Sequence, residues 1–337
     1  MTSTSVSLAE LNAEYDRCDG RPADSEEYQR FTTLVLNEPA AARLAQMDPF
    51  SSAYRQAAME LYLQLRGRAA EGYVLDRDER SDDPAPKNLW RDVSPWSFQD
   101  PDFVSEFLVC WAQMMRLLDF GHKNNLSILE YGTGSGQFLL MLARLGVKVH
   151  GVDIDAASLN LVRAQAEAQN LQVETEQAAF GEGFLGQTFD RIVFFEAFHH
   201  AFDFLDLLVR LRERLNPGGK LMLCGEPVVH EQGGAVPFPW GPRLDILSIF
   251  CMKKQGWMEL GFTHEFLMQA FERTGWKASF HPAAGCGRAN IYLAERTGDS
   301  PLSEQPAPSL SPTVKPNYSM MFKVRWKLSR WLNPERT

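Results

Sequence analysis

From Leu126 onward, short apolar runs alternate with longer stretches in which apolar residues recur every three or four positions. The short runs, at residues 127–131, 147–152, 171–175, 190–195, 220–224, 277–281 and 290–294, predict β-strands, and the longer ones, at 137–145, 156–168, 204–215 and 263–274, predict helices. Ile192 to Phe195 and Leu221 to Cys224 are unbroken apolar stretches, as in strands covered on both faces. Such alternation builds a doubly wound, mostly parallel sheet. The last two strands lie too close in sequence for a crossover helix, so they are expected to pair as an antiparallel hairpin at the sheet edge. The expected fold class is therefore α/β, with a seven-stranded sheet. Upstream, helical spacing covers residues 32–46, 51–66 and 102–118, so residues 1–100 are expected to form a helical cap. Within it, the charged, proline- and tryptophan-rich stretch 76–101 reads as a loop of the kind used for lids.

Composition narrows this picture. No apolar run approaches the ~20 residues of a membrane span, and the N-terminus is polar and acidic where a signal peptide would be apolar, so a cytoplasmic location is expected. The five cysteines are scattered, and the seven histidines show neither HxH nor HxxxH spacing, so no disulfide framework or metal site is called for. A net charge of −9 disfavours nucleic acid as a partner. The C-terminus breaks that trend, with six basic residues against one acidic from Lys315 to Thr337. Residues 101–298 are thus expected to hold the main domain, with an insertion at 226–262, a proline-rich linker at 299–316 and a basic aromatic tail at 317–337. In the tail, strict alternation over 322–328 fits an edge strand, while Met321, Val324, Leu328 and Trp331 make a helical stripe. That stripe would rest on an anionic membrane face or a protein partner, or dock back on the domain.

The densest chemistry is Glu130, Tyr131, Gly132, Thr133, Gly134, Ser135 and Gly136, a strand running into a glycine loop and then a helix. Glycines let a backbone approach a ligand closely, and a helix start offers free N–H groups. A dinucleotide fingerprint would read GxGxxG and a P-loop would end in Gly-Lys-Ser/Thr; neither is present. The next strand ends at Asp153, an acid suited to accept hydrogen bonds from both hydroxyls of a ribose, with Ile154 beside it; Asp155 reads as the N-cap of the following helix. The fourth strand delivers Glu196, His199 and His200 to the carboxyl edge of the sheet, where open α/β folds place ligands. Histidine titrates near neutrality and suits a general base; packing is the plain alternative.

The GxGxG loop with an acid two residues before its first glycine resembles motif I of class I (Rossmann-like) methyltransferases that use S-adenosylmethionine (SAM), and five parallel strands closed by a hairpin resemble their fold. The resemblance implies that SAM binds along Glu130, Tyr131, Gly132, Gly134 and Gly136, with Glu130 on its amino group, Asp153 on the ribose, and Ile154, Ala179 and Phe180 around the adenine. Ala179 departs from the family, where many members have an Asp toward the adenine amine. Glu196 is expected to face the sulfonium or act as a base beside His199 and His200. The Asn/Asp-Pro-Pro-Tyr and Pro-Cys motifs of nucleobase methylases are missing at this position.

The insertion carries Glu226, Trp240, Arg243, Asp245, Trp257 and Glu259. Aromatic faces over C–H surfaces and charged groups on hydroxyls suit a sugar or glycan acceptor, whereas tryptophans also serve as core. Taken together, residues 48–294 resemble bacterial class I methyltransferases found beside or fused to glycosyltransferases. The function expected is O-methylation of a small hydroxylated acceptor. Its rivals are a catalytically silent SAM-binding scaffold and a nucleotide-dependent oxidoreductase.

Overall fold

The computed structural model describes residues 4–19, 21, 25–80, 86–120 and 126–298; the linker and tail readings lie outside the described residues. The N-terminal region runs β1 (Thr4–Val6), α1 (Leu8–Cys18), α2 (Glu26–Phe31), β2 (Leu34–Leu36), α3 (Pro39–Leu44), α4 (Ser52–Arg66), α5 (Leu75–Asp78) and α6 (Pro101–Leu117). The continuous helix expected at 32–46 is corrected. Leu34–Leu36 instead pairs in parallel with Thr4–Val6, burying Leu34 and Leu36 and exposing Val35. Helix resumes only at Pro39, whose fixed φ and missing N–H suit a first turn. The cap is therefore helical with a small two-stranded sheet. Helix α1 was legible in principle, because Ser7 and Glu10 form a reciprocal capping box at its start.

The second part runs β3 (Ser127–Tyr131), α7 (Gln137–Arg144), β4 (Lys148–Asp153), α8 (Ala156–Ala168), β5 (Glu174–Gln177), β6 (Phe189–Phe195), α9 (Phe204–Leu211) and β7 (Leu215–Cys224), then β8 (Val228–Val229), β9 (Trp240–Pro242), α10 (Ile246–Lys254), β10 (Leu260–Thr263), α11 (His264–Arg273), β11 (Trp276–His281) and β12 (Ile291–Arg296). Seven strands form one sheet in the order β11-β12-β7-β6-β3-β4-β5. The β5-β4-β3-β6-β7 pairs are parallel, and β12 is antiparallel to both β7 and β11, so the expected edge hairpin is present. Successive strand residues feed two separate cores. Ile128, Val193 and Met222 join Phe107, Trp111 and Leu139 on one face, while Leu129, Phe194 and Leu223 join Leu207, Phe262 and Phe266 on the other. Strand order reverses between β3 and β6, which opens a crevice at their carboxyl ends.

The insertion folds as a three-stranded sheet, β8-β10-β9, with α10. It is bonded to α4. Tyr54 donates its hydroxyl to the Trp240 carbonyl, Tyr62 donates to that of Gly256, and the Trp240 indole N–H donates to the Pro49 carbonyl at 2.8 Å. Cap and insertion thus make one layer over the β6–β7 side of the crevice. Among the described residues, no helix is long and apolar enough to cross a membrane.

Candidate active site

Two glycines shape the loop after β3. Gly132 has φ +69°, and a Cβ there would lie 2.6 Å from the Ala197 Cβ, so the loop presses on the turn after β6. Gly134 has φ +48°, and a Cβ there would meet nothing within 4 Å, so its backbone borders open space. The Gly134 N–H donates to Asp153 Oδ2 at 2.9 Å, and the Asp155 N–H donates to Oδ1 at 2.9 Å. Asp155 caps α8, as expected, by accepting from the Ser158 N–H at 2.9 Å. Glu130 is buried, and its Oε2 has no hydrogen-bond partner among the described residues. Burial, reinforced by Asp153, pushes its carboxyl up to about 8. An orphaned carboxylate oxygen, an open glycine backbone and an acid at the end of β4 fit a ligand with an amino group at one end and a ribose at the other. Phe180 lies against Gly132, while Ile154 and Ala179 are half-buried nearby. Tyr131 packs instead, stacked on Phe194 and donating to the Glu182 carbonyl at 2.9 Å.

The stretch before α6 approaches the loop from outside: Ser135 Oγ donates to the Ser94 carbonyl at 3.0 Å, and Trp96 Nε1 donates to Gln137 at 3.3 Å. If Asp153 holds the ribose, Asp153→Ala removes a charged acceptor and the anchor of Gly134. A loss of ~1.5–3 kcal/mol, or at least about ten-fold weaker S-adenosylhomocysteine (SAH) binding, is the expected calorimetric result. Unchanged affinity, or native preference for NAD, would sink the assignment.

At the end of β6 the chain turns through Glu196 (φ +51°) into a short 3-10 turn, Phe198–His200. Glu196 pairs with Arg288, which also holds Glu106 at 2.9 Å. Glu226, just past β7, accepts the N–H groups of Ala197, Phe198 and His199 at 3.2, 3.0 and 3.0 Å, and lies 2.8 Å from His199 Nδ1. It is saturated by the protein and orients the histidine. Across the turn, His200 Nδ1 is 3.2 Å from Glu79 Oε2, while Glu79 Oε1 accepts from Tyr73 (2.9 Å) and the Met258 N–H (2.7 Å). The buried Arg66–Asp78 pair, bonded at 2.8 and 3.1 Å, anchors α5 and so places Glu79. His199 Nε2 is 3.8 Å from Glu259 Oε2, and Glu259 also pairs with Arg243.

Burial, together with neighbouring His200, holds His199 well below the usual histidine range. For His200, burial is outweighed by Glu79, which raises it to about 9. Burial lifts the carboxyl of Glu226 to about 7, against the pull of its three N–H donors.

The fold therefore brings together His199, His200, Glu226, Arg243 and Glu259, with the Trp257 ring edge-on to His200 at 5.9 Å. Trp240 stands in the core among Phe204, Phe266 and Tyr54. Asp245 caps α10 through the Ser248 N–H at 3.0 Å. Sequence reasoning missed Glu79 and Arg288; the acidic pair Asp78-Glu79, inside the stretch read as a lid, was the available signal for the first.

Residues 106–230 match the family model described as Methyltransferase domain. That match makes the segment similar to methyltransferase domains, and it lies on the seven-stranded sheet described above. The chain is 34% identical over 103 residues to the ubiquinone biosynthesis O-methyltransferase of Dinoroseobacter shibae and 33% identical over 103 residues to that of Roseobacter denitrificans. In each case the match covers 29% of this chain and 40% of the relative, so the chain spans less than half the length of these relatives. Among solved structures, CcbJ methyltransferase from Streptomyces caelestis is similar at TM-score 0.43 and 20% identity, over 56% of this chain and 90% of that one. CalS10, an amino pentose methyltransferase from Micromonospora echinaspora, is similar at TM-score 0.40 and 18% identity over the same shares.

Proposed function

We propose that the protein transfers a methyl group from SAM to a hydroxyl oxygen of a small polyhydroxylated acceptor: a sugar, a glycan precursor or a related metabolite. The observation that carries this reading is the buried His199–Glu226 pair, on the turn after β6 whose Ala197 packs against Gly132 of the glycine loop. When bound, SAM supplies an electrophilic methyl carbon, which an oxygen lone pair takes as the carbon–sulfur bond breaks and its electrons return to sulfur. The chain's own contribution is to hold the reactants in line and accept the hydroxyl proton. With Nδ1 tied to Glu226, His199 keeps Nε2 for that proton. Arg243 and Trp257 offer a donor and an aromatic face to the rest of the acceptor. The relatives' name, O-methyltransferase, supports oxygen as the atom methylated.

Comparing metabolites and glycans of a deletion strain with those of its parent tests the proposal. The expected result is loss of an O-methylated compound and accumulation of its partner lighter by one methyl group, which the purified protein then converts while forming SAH. A methyl found on nitrogen or carbon, or an unchanged profile, would overturn it.

A further inference from the structure

We propose that His199, His200 and Glu259 bind a divalent transition-metal ion that grips two neighbouring oxygens of the acceptor. One donor atom from each residue lies within 4.8 Å of the other two, and His199 Nε2 and Glu259 Oε2 are 3.8 Å apart. The site is empty. Donors in a formed site stand about 3–3.4 Å apart, so binding draws these inward by small side-chain rotations.

The surroundings carry the argument further than the distances do. Each imidazole turns Nδ1 to its own buried carboxylate, His199 to Glu226 at 2.8 Å and His200 to Glu79 at 3.2 Å. A carboxylate behind the far nitrogen is the arrangement that fixes the tautomer of a metal-binding histidine and leaves Nε2 as the ligand. His199 shows that arrangement as a hydrogen bond, and beside it the Glu79 carboxylate stands within ion-pair distance of His200 Nδ1, the two carboxylates supplied by two different segments of the chain. Charge points the same way. Glu79, Glu226 and Glu259 are all buried around the two histidines, and the guanidinium among them is Arg243. Arg243 is also 3.9 Å from Asp245, so it has a second carboxylate to turn to when Glu259 takes a cation.

Two imidazoles and one carboxylate suit manganese, iron(II), cobalt or zinc, and leave positions open for two oxygens. Magnesium prefers an all-oxygen shell. This deepens the methyl-transfer reading and rests on it only for the acceptor's role. As an acceptor hydroxyl forms its oxygen–metal bond, its proton passes to water, and His199 then serves as ligand where it would otherwise be the base. The acceptor class becomes a vicinal diol or catechol-like pair of oxygens.

The test uses the tag-free, full-length protein, stripped with chelator and titrated with Co²⁺, followed by its visible absorption and by calorimetry. One equivalent should bind, and Glu259→Gln and His200→Ala should each weaken that binding at least ten-fold while retaining SAH binding as evidence of folding. Absence of Co²⁺ binding below millimolar concentration, or equal affinity in both variants, overturns the site. Methylation without cation binding overturns the site alone, whereas cation binding by a protein that forms no SAH sinks the methyl-transfer reading and leaves the site standing.

Discussion

Replacing His199 by alanine is expected to lower turnover by about 10²- to 10⁴-fold while leaving SAH affinity essentially unchanged. The histidine is buried and aimed by Glu226, and it touches neither Glu130 nor Asp153 among its hydrogen bonds and ion pairs. Its neutral form is the working one, both for taking a proton and for holding a cation. Because burial depresses its pKa, that form persists as pH falls through the usual histidine value, and activity should decline only at more acid pH. Measured pH profiles then separate the two roles. An acid limb that moves with cation concentration marks a ligand, since protons and cation compete for one nitrogen. A packing role predicts something else: a lower melting temperature, with native turnover in the folded fraction.

The second large effect is expected at Glu130, where stability and binding oppose each other. Its folded pKa of about 8 lies above the ordinary 4.5, so the unfolded chain ionises this group first. Stability from the neutral carboxyl is complete below pH 4.5 and is lost as pH rises through about 8. The full shift corresponds to roughly 4–5 kcal/mol. Glu130→Gln should therefore melt several degrees higher than the parent at pH 9, with the difference vanishing near pH 4 to 5. If Glu130 meets the amino group of the cofactor, the same variant should bind SAH at least about ten-fold more weakly, having lost a charge-assisted bond of ~1.5–3 kcal/mol. Greater stability with unchanged affinity would reduce Glu130 to a packing residue. Lower stability at pH 9 would contradict its burial as a neutral acid. Differential scanning fluorimetry and calorimetry on one pair of proteins decide both points.

The sheet was legible because its strands are covered on both faces and so appear as unbroken apolar runs such as Ile192 to Phe195. The glycine loop was legible because its chemistry is contiguous in sequence. Leu34–Leu36 was not, since its strand character comes from pairing with Thr4–Val6, a non-local partner that helical spacing outweighed. The insertion's strands run two to four residues, too short to show a period of two. Glu79 escaped notice because its position depends on the Arg66–Asp78 clamp and on Met258, far along the chain. Trp240 drew attention as an aromatic surface, whereas its indole N–H is already spent on Pro49.

The bonds that join α4 to the insertion have a consequence during synthesis. Tyr54 and Trp240 are 186 positions apart, and Tyr62 and Gly256 are 194 apart. At ~5–20 residues per second, the apolar stripe of Tyr54, Ala58, Leu61 and Leu65 leaves the ribosome roughly 10–40 s before its covering partners exist. For that interval the nascent chain presents an amphipathic helix covered only in part, by α3. Slow translation should therefore favour its capture by chaperones, and an early stop after residue 230 should yield a product that aggregates, lacking both those partners and the β11–β12 hairpin of the main sheet.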